Sequence, residues 1–252
     1  MAPLTPAPRL RGFRTSIAGL ACARATWPGL AGGLALLLGA APAAAQVAAN
    51  VTLASNQLFR GETISADDPG LALAVSADLP GGLFAGADAS FAAGGEAPRL
   101  TAANLYAGVA LRLGEASVEA GAIHRRYGSI YDDAYRPRFT ELYAGITLRR
   151  VQVRAFVSPD YLADGRNTYY LDVNARLASL GRWTLQGHGG LALIPHDLGD
   201  PDTSLISYED WSLRASRPLG PFTLGLGVAG TNYPVFGPSG KVRFSAQLSR
   251  AF

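Results

Sequence analysis

Charged side chains in this 252-residue chain recur at alternate positions of otherwise apolar runs, a spacing that suits a solvated face better than a catalytic cluster. Seven bases (Arg112, Arg125, Arg154, Arg176, Arg214, Lys241 and Arg243) and six acids (Asp78, Asp88, Glu119, Glu141, Asp172 and Asp210) fall on one parity of these runs. On the inside of a closed sheet they could line a water-filled passage and sort small solutes by charge, or pair with one another and plug it. The three histidines, His124, His188 and His196, have no Ser or Asp beside them in a nucleophile motif. His188 shares the charged parity. His124 lies on the other parity near a run's end, as an interfacial residue or as the base of a lipid-facing hydrolase. Asp197-x-x-Asp200-x-Asp202 is the densest acidic cluster, in a loop, without a specific liganding pattern. No P-loop, dinucleotide fingerprint or metal motif is present, and Gly225-Leu226-Gly227 is simple alternation, so no cofactor or metal is expected.

The elements that carry these residues have period two. Leu71, Leu73, Val75, Ala77 and Leu79 alternate with Ala72, Ala74, Ser76 and Asp78, and the same pattern recurs through Asn104–Leu113 and Tyr169–Arg176. Twelve strands are expected, at 47–59, 70–79, 83–92, 102–113, 116–127, 139–148, 151–158, 168–178, 183–193, 207–217, 222–231 and 241–252. The connections alternate in length: 10, 9, 11, 9, 13 and 9 residues for one set, 3, 2, 2, 4 and 4 for the other. Short turns on one rim and long loops on the other are the signature of an all-β transmembrane antiparallel barrel, with an even strand number returning both ends to the short-turn rim. On the apolar parity the only charges are Arg126, Glu209, Arg217 and Arg250, each within three residues of a strand end, as lipid contact at mid-bilayer demands.

The chain ahead of these strands reads as an export signal, residues 1–45. Arg9, Arg11, Arg14 and Arg24 form a basic start, Gly29–Ala40 an apolar run of 12, and Ala43-Ala44-Ala45 a cleavage site before Gln46. Four of the 22 basic residues and none of the 19 acidic ones lie in it, so residues 46–252, the expected barrel domain, carry a net charge near −1. The basic balance of the whole chain therefore gives no reason to expect nucleic-acid binding. The single cysteine, Cys22, falls in the discarded segment, and Gly19 stands where a lipobox needs Leu.

Aromatics near strand ends, Phe59, Phe91, Tyr127, Phe139, Tyr169, Trp183, Trp211, Phe222 and Phe252, fit interfacial girdles. The last segment, KVRFSAQLSRAF, ends an alternating strand on Phe252, as the assembly signal of outer-membrane barrels does. The expected partners are outer-membrane lipid and lipopolysaccharide, the barrel assembly machinery and small solutes. Arg112, Arg243 and Lys241 are placed near short-turn strand ends, with Arg154 and Arg176 deeper, where a constriction of both signs would lie.

The segment Asn50–Ser90 resembles the opening of the TorF-type porin family, also called Gcw_chp. Ser55, Asn56, Phe59, Arg60, Gly61, Thr63, Pro69 and Gly86 match that opening. Gln57 stands where the family usually has Tyr, and Ala89 where Trp is common. Tyr161–Tyr170 and Ser207–Trp211 resemble its middle and late segments. The resemblance implies an outer-membrane barrel. The expected function is a porin-like passive diffusion channel for small hydrophilic solutes. The alternatives are a non-conducting structural or adhesin barrel with a plugged lumen, and an outer-membrane hydrolase.

Overall fold

The computed structural model describes residues 46–95, 97–128, 136–161, 165, 167–194, 206–232 and 242–252. The expected signal, residues 1–45, lies outside them, as do Lys241, His196 and the Asp197, Asp200 and Asp202 cluster.

Alternation becomes strand wherever the opposite faces meet different media. The strands are β1 (Gln46–Ala54), β2 (Leu58–Phe59), β3 (Glu62–Thr63), β4 (Gly70–Asp78), β5 (Leu83–Ala92), β6 (Arg99–Leu113) and β7 (Ala116–Tyr127). They continue with β8 (Arg138–Leu148), β9 (Val151–Ser158), β10 (Thr168–Leu180), β11 (Trp183–Ile194), β12 (Ile206–Leu219), β13 (Phe222–Thr231) and β14 (Arg243–Ala251). β1 and β4–β14 form a closed antiparallel barrel of twelve strands, each paired with its neighbours in sequence. β2 and β3 are a separate two-stranded hairpin inside the first long connection. Closure runs between β1 and β14, from Asn50 opposite Ala251 to Ala54 opposite Gln247, and Phe252 extends it with a 2.9 Å bond from its N–H to the Ala49 carbonyl. A closed ladder leaves no unpaired edge, which is what makes strands viable in lipid.

The outward face is apolar and uncovered. Leu105 is 62% exposed, Leu113 60% and Phe244 74%, values that a water-soluble fold would avoid along a whole belt. Phe222 and Phe252 are exposed at strand ends, and Trp211 is exposed farther inside β12. Among the described residues no helix is long and apolar enough to cross a membrane. The short turns hold left-handed glycines, Gly114, Gly181 and Gly220, at the positions where each hairpin reverses.

Three expectations need correction. The first strand ends at Ala54, not at residue 59, because the chain turns inward there. Phe59, Tyr127 and Phe139 are not girdle residues: they pack together in the lumen, Tyr127 and Phe139 buried on the inward parity and Phe59 partly buried against them. Arg243 lies at the long-loop rim, since β14 runs from that rim down to Phe252, and its guanidinium meets Asp67 of the first long connection.

Candidate functional site

The lumen is built from the inward parity of twelve strands and from residues 55–69, which fold back into it. Four positive-φ residues, Arg60 (46°), Gly61 (77°), Ala66 (59°) and Asp67 (66°), give this connection its two sharp bends. Between them the β2–β3 hairpin projects into the barrel. Its sides are tied to the wall. Gln57 donates to the carbonyls of Leu71 (3.2 Å) and Phe91 (3.3 Å), and its own carbonyl accepts from Thr101 at 2.8 Å. Thr101 is the extra residue where the β5–β6 register slips between Ser90 and Phe91, and the bulge aims it at Gln57. Asn56, Thr63 and Ser65 bond one another and are buried, and Ser245 of β14 donates to the Asn56 carbonyl at 2.9 Å.

Arg60 crosses the lumen. One terminal nitrogen donates to Glu141 Oε1 of β8 at 2.6 Å, and Arg125 of β7 takes Oε2 at 2.7 Å, so one carboxylate holds two guanidinium groups. The side chains of Arg60 and Glu141 are 6% and 2% exposed. The Arg60 guanidinium also lies 3.6 Å from the Tyr170 ring centre, 4.9 Å from Phe59 and 5.4 Å from Tyr161. Its other terminal nitrogen has no hydrogen-bond partner among the described residues, and these ring faces are its compensation. Burial opposes the Arg60 charge, but the charge of Glu141 outweighs it, so the group stays ionised. Burial likewise pushes the Tyr161 hydroxyl above the ordinary phenol range, keeping it a neutral partner that accepts from Tyr208 at 3.0 Å. Gly61 must be glycine: a Cβ there would lie 2.4 Å from the Gly230 carbonyl oxygen of β13.

Below the loop the inward charges are mostly engaged. Arg154 of β9 reaches Glu119 of β7 (2.8 Å) and lies over Tyr143, while Gln152 bonds the same Glu119 oxygen at 3.0 Å. His188 stands between Asp172 (3.0 Å) and Asp210 (2.7 Å), and Asp210 also accepts from Tyr170 at 2.9 Å. Asp88 accepts from Asn104 at 2.7 Å. Arg176 and Arg214 share the inward parity of β10 and β12, and both have interaction partners. Arg112 sits at the short-turn rim, donating to the Gly114 carbonyl at 3.2 Å, and Asp78 is exposed at the end of β4. At the top Asp67 pairs with Arg243 and Asp68 with Arg99.

The lumen is lopsided. Tyr143, Phe156, Tyr170 and Tyr208 make a buried aromatic cluster on the β8–β12 wall. The wall of β13, β14, β1 and β4 presents mostly glycine, alanine and small hydroxyl residues inward, such as Gly225, Gly227, Ser249, Ala74 and Ser76. The sequence pattern puts Arg60 and Asp67 in the connection between the first two expected strands, and Gln57 in the first of those strands. No local signal says that a loop will fold inward. The inward aromatics, by contrast, share the parity of Glu141 and Asp172 and could have been read from alternation. Outside the lumen, His124 bonds Thr140 at 3.0 Å on the exposed face. Among the described residues no three His, Cys, Asp or Glu side chains converge as a metal site.

A closed twelve-stranded barrel with an apolar exterior, a charged interior and an inward-folded first loop defines a transmembrane barrel protein of porin architecture. The family model described as "Bacterial protein of unknown function (Gcw_chp)" matches residues 39–246, so the chain belongs to that family. No curated protein matches it in sequence. Among solved structures it is similar to the NanC porin, at 10% identity over 82% of this chain and 98% of that one, with a TM-score of 0.51. The KdgM porin shares 10% identity over 82% and 99%, with a TM-score of 0.46. OccK2 of Pseudomonas aeruginosa shares 15% over 79% and 67%, with a TM-score of 0.31. At these identities the likeness is one of fold.

Proposed function

We propose that the protein is a passive diffusion channel for small hydrophilic solutes in the bacterial outer membrane, a TorF-type porin, whose first long loop forms the constriction. The observation that carries this reading is the segregation of charge. Every strand of the barrel wall turns its apolar parity outward, while acids and bases line the interior from Arg243 at one rim to Arg112 at the other. Ionised groups in a lumen need water or each other, and a hydrated lumen through a closed barrel is a path. Twelve strands lie between the eight that enclose a filled interior and the sixteen or more that leave an open channel, so such a path is narrow. The surrounding lipid, lipopolysaccharide and the assembly machinery are the partners this reading supplies.

A second reading has its own observation. The Arg60–Glu141 tie crosses the lumen and is buried at both ends, as a permanent plug would be. Single-channel recording of the purified, refolded protein in planar bilayers separates the two. Discrete, voltage-independent steps of small conductance are the expected result. A silent barrel that folds and inserts normally is the result that would replace the channel with a plugged structural barrel.

A further inference from the structure

The arginines of the short-turn rim are not spread evenly. From the β8–β9 turn round to β14 the rim carries Arg149, Arg150, Arg182, Arg217 and Arg250, and no acid falls within residues 148–151, 179–183, 215–222 or 248–252. Glu115, at the edge of this arc, pairs with Arg149 at 3.2 Å, with both side chains more than 70% exposed. Five guanidinium groups with a single acidic side chain beside them are an unbalanced patch.

Two details turn the patch toward lipid. First, three of the arginines stand beside apolar surface. Arg149 and Arg150 cap a groove of about 570 Å³ whose other walls are Ile146, Leu148, Val151 and Val153. Arg250 caps another of about 260 Å³ beside Phe222 and Phe252. Second, Arg217 and Arg250 point outward on their strands and rest on aromatic rings. Arg217 lies 5.4 Å from the Trp183 ring centre, with its Nε buried and lacking a hydrogen-bond partner among the described residues. Arg250 lies 4.6 Å from Phe252 and 6.0 Å from Phe222. A cation held at the end of an apolar strand face sits at the depth of lipid phosphates, and the guanidinium fork matches a phosphate with two parallel hydrogen bonds.

We infer that this arc is a binding surface for anionic phospholipid, with acyl chains in the grooves and headgroup phosphates on Arg149, Arg150, Arg217 and Arg250. The inference rests on the membrane-barrel reading, which puts the short turns at the phospholipid leaflet. It adds a preference for the charge of the headgroup, because each arginine beyond those matched by a single phosphate raises the attraction for a net negative lipid over a zwitterionic one.

The test uses the refolded barrel in detergent, with phosphatidylglycerol and phosphatidylcholine of identical acyl chains supplied in equal amounts. Native mass spectrometry then counts the lipids retained. Several-fold preferential retention of phosphatidylglycerol is expected. Arg149→Gln with Arg150→Gln should lower the number retained, and adding Arg217→Gln and Arg250→Gln should abolish the preference. Equal retention of the two lipids by the unmodified protein overturns the inference without reference to any variant. So does an unchanged preference in the fourfold variant, checked for folding by its gel mobility before and after boiling. Failure of the unmodified protein to insert into vesicles would defeat the membrane reading itself, which is a separate result.

Discussion

Arg60 is the side chain on which the lumen turns. It joins the first loop to a carboxylate 81 residues away and lies against four aromatic rings, Phe59, Phe156, Tyr161 and Tyr170. Removing it by Arg60→Ala leaves Glu141 to Arg125 alone, so the cost should sit near the lower end for breaking a buried pair, about 3 kcal/mol. The expected outcome is lower resistance to denaturant together with a larger single-channel conductance. Gly61→Ala tests position separately from charge. It keeps the guanidinium but sets a Cβ 2.4 Å from the Gly230 oxygen at a left-handed φ of 77°. The loop tip must shift, and conductance should again rise; a conductance unchanged by both substitutions would show that the loop does not set the bore. Arg154 and Arg176 lie deeper. Arg154→Ser strips Glu119 of its guanidinium and leaves it only Gln152, so the double change to Ser at Arg154 and Arg176 should move the reversal potential in a salt gradient toward cations. Arg217→Ser faces outward and should leave that potential where it is.

β14 does two jobs. It closes the barrel against β1, and it places Phe252 at the short-turn rim under the Arg250 guanidinium. Phe252 still carries two backbone bonds to Ala49, 2.9 and 3.3 Å, although it lies beyond the regular strand. Deleting it removes the last rung of the closing seam and the aromatic terminus together. Folded barrel in the membrane should fall while export across the inner membrane is kept, read as the ratio of heat-modifiable to total exported protein. An unchanged ratio would make the terminal ring incidental to assembly. The β2–β3 hairpin is the opposite kind of element. It contains one pair of rungs and has no stability of its own, so its position depends on Gln57, Thr101, Arg60 and Asp67. Excising residues 57–67 with a short glycine bridge should leave the twelve-strand barrel intact and open it further than any single substitution.

As a whole the molecule is a cylinder whose two surfaces have exchanged the usual roles, apolar outside and charged within. A closed ladder of this kind resists detergent until heated. The protein should therefore migrate faster on gels unboiled than boiled, and fractionate with the outer membrane; recovery as a soluble periplasmic monomer would falsify the barrel assignment. The two rims also differ. The long-loop rim ties charges of the first connection to nearby wall strands, as in Asp67–Arg243 and Asp68–Arg99, whereas the short-turn rim exposes an arc of arginines around the outside.

Period-two alternation and the regular exchange of short and long connections were enough to give the strand number, the antiparallel order and the inward parity of Arg125, Glu141, Arg154, Asp172 and Asp210. They are properties of one strand and its next neighbour, which is the range over which a pleat and a tight turn act. The partners of those charges were not legible. Glu119 meets Arg154 across two strand spacings, and Asp172 and Asp210 meet at His188 from three different strands. Which inward residues share a depth depends on the register and tilt accumulated around the closed sheet. The fate of residues 55–69 was still less accessible. Their polar composition suits a loop in water as well as a loop in the lumen. Only the assembled wall, with a carboxylate on β8, a bulged threonine on β6 and a close-lying glycine on β13 each meeting a residue of the loop, makes the inward course the favoured one.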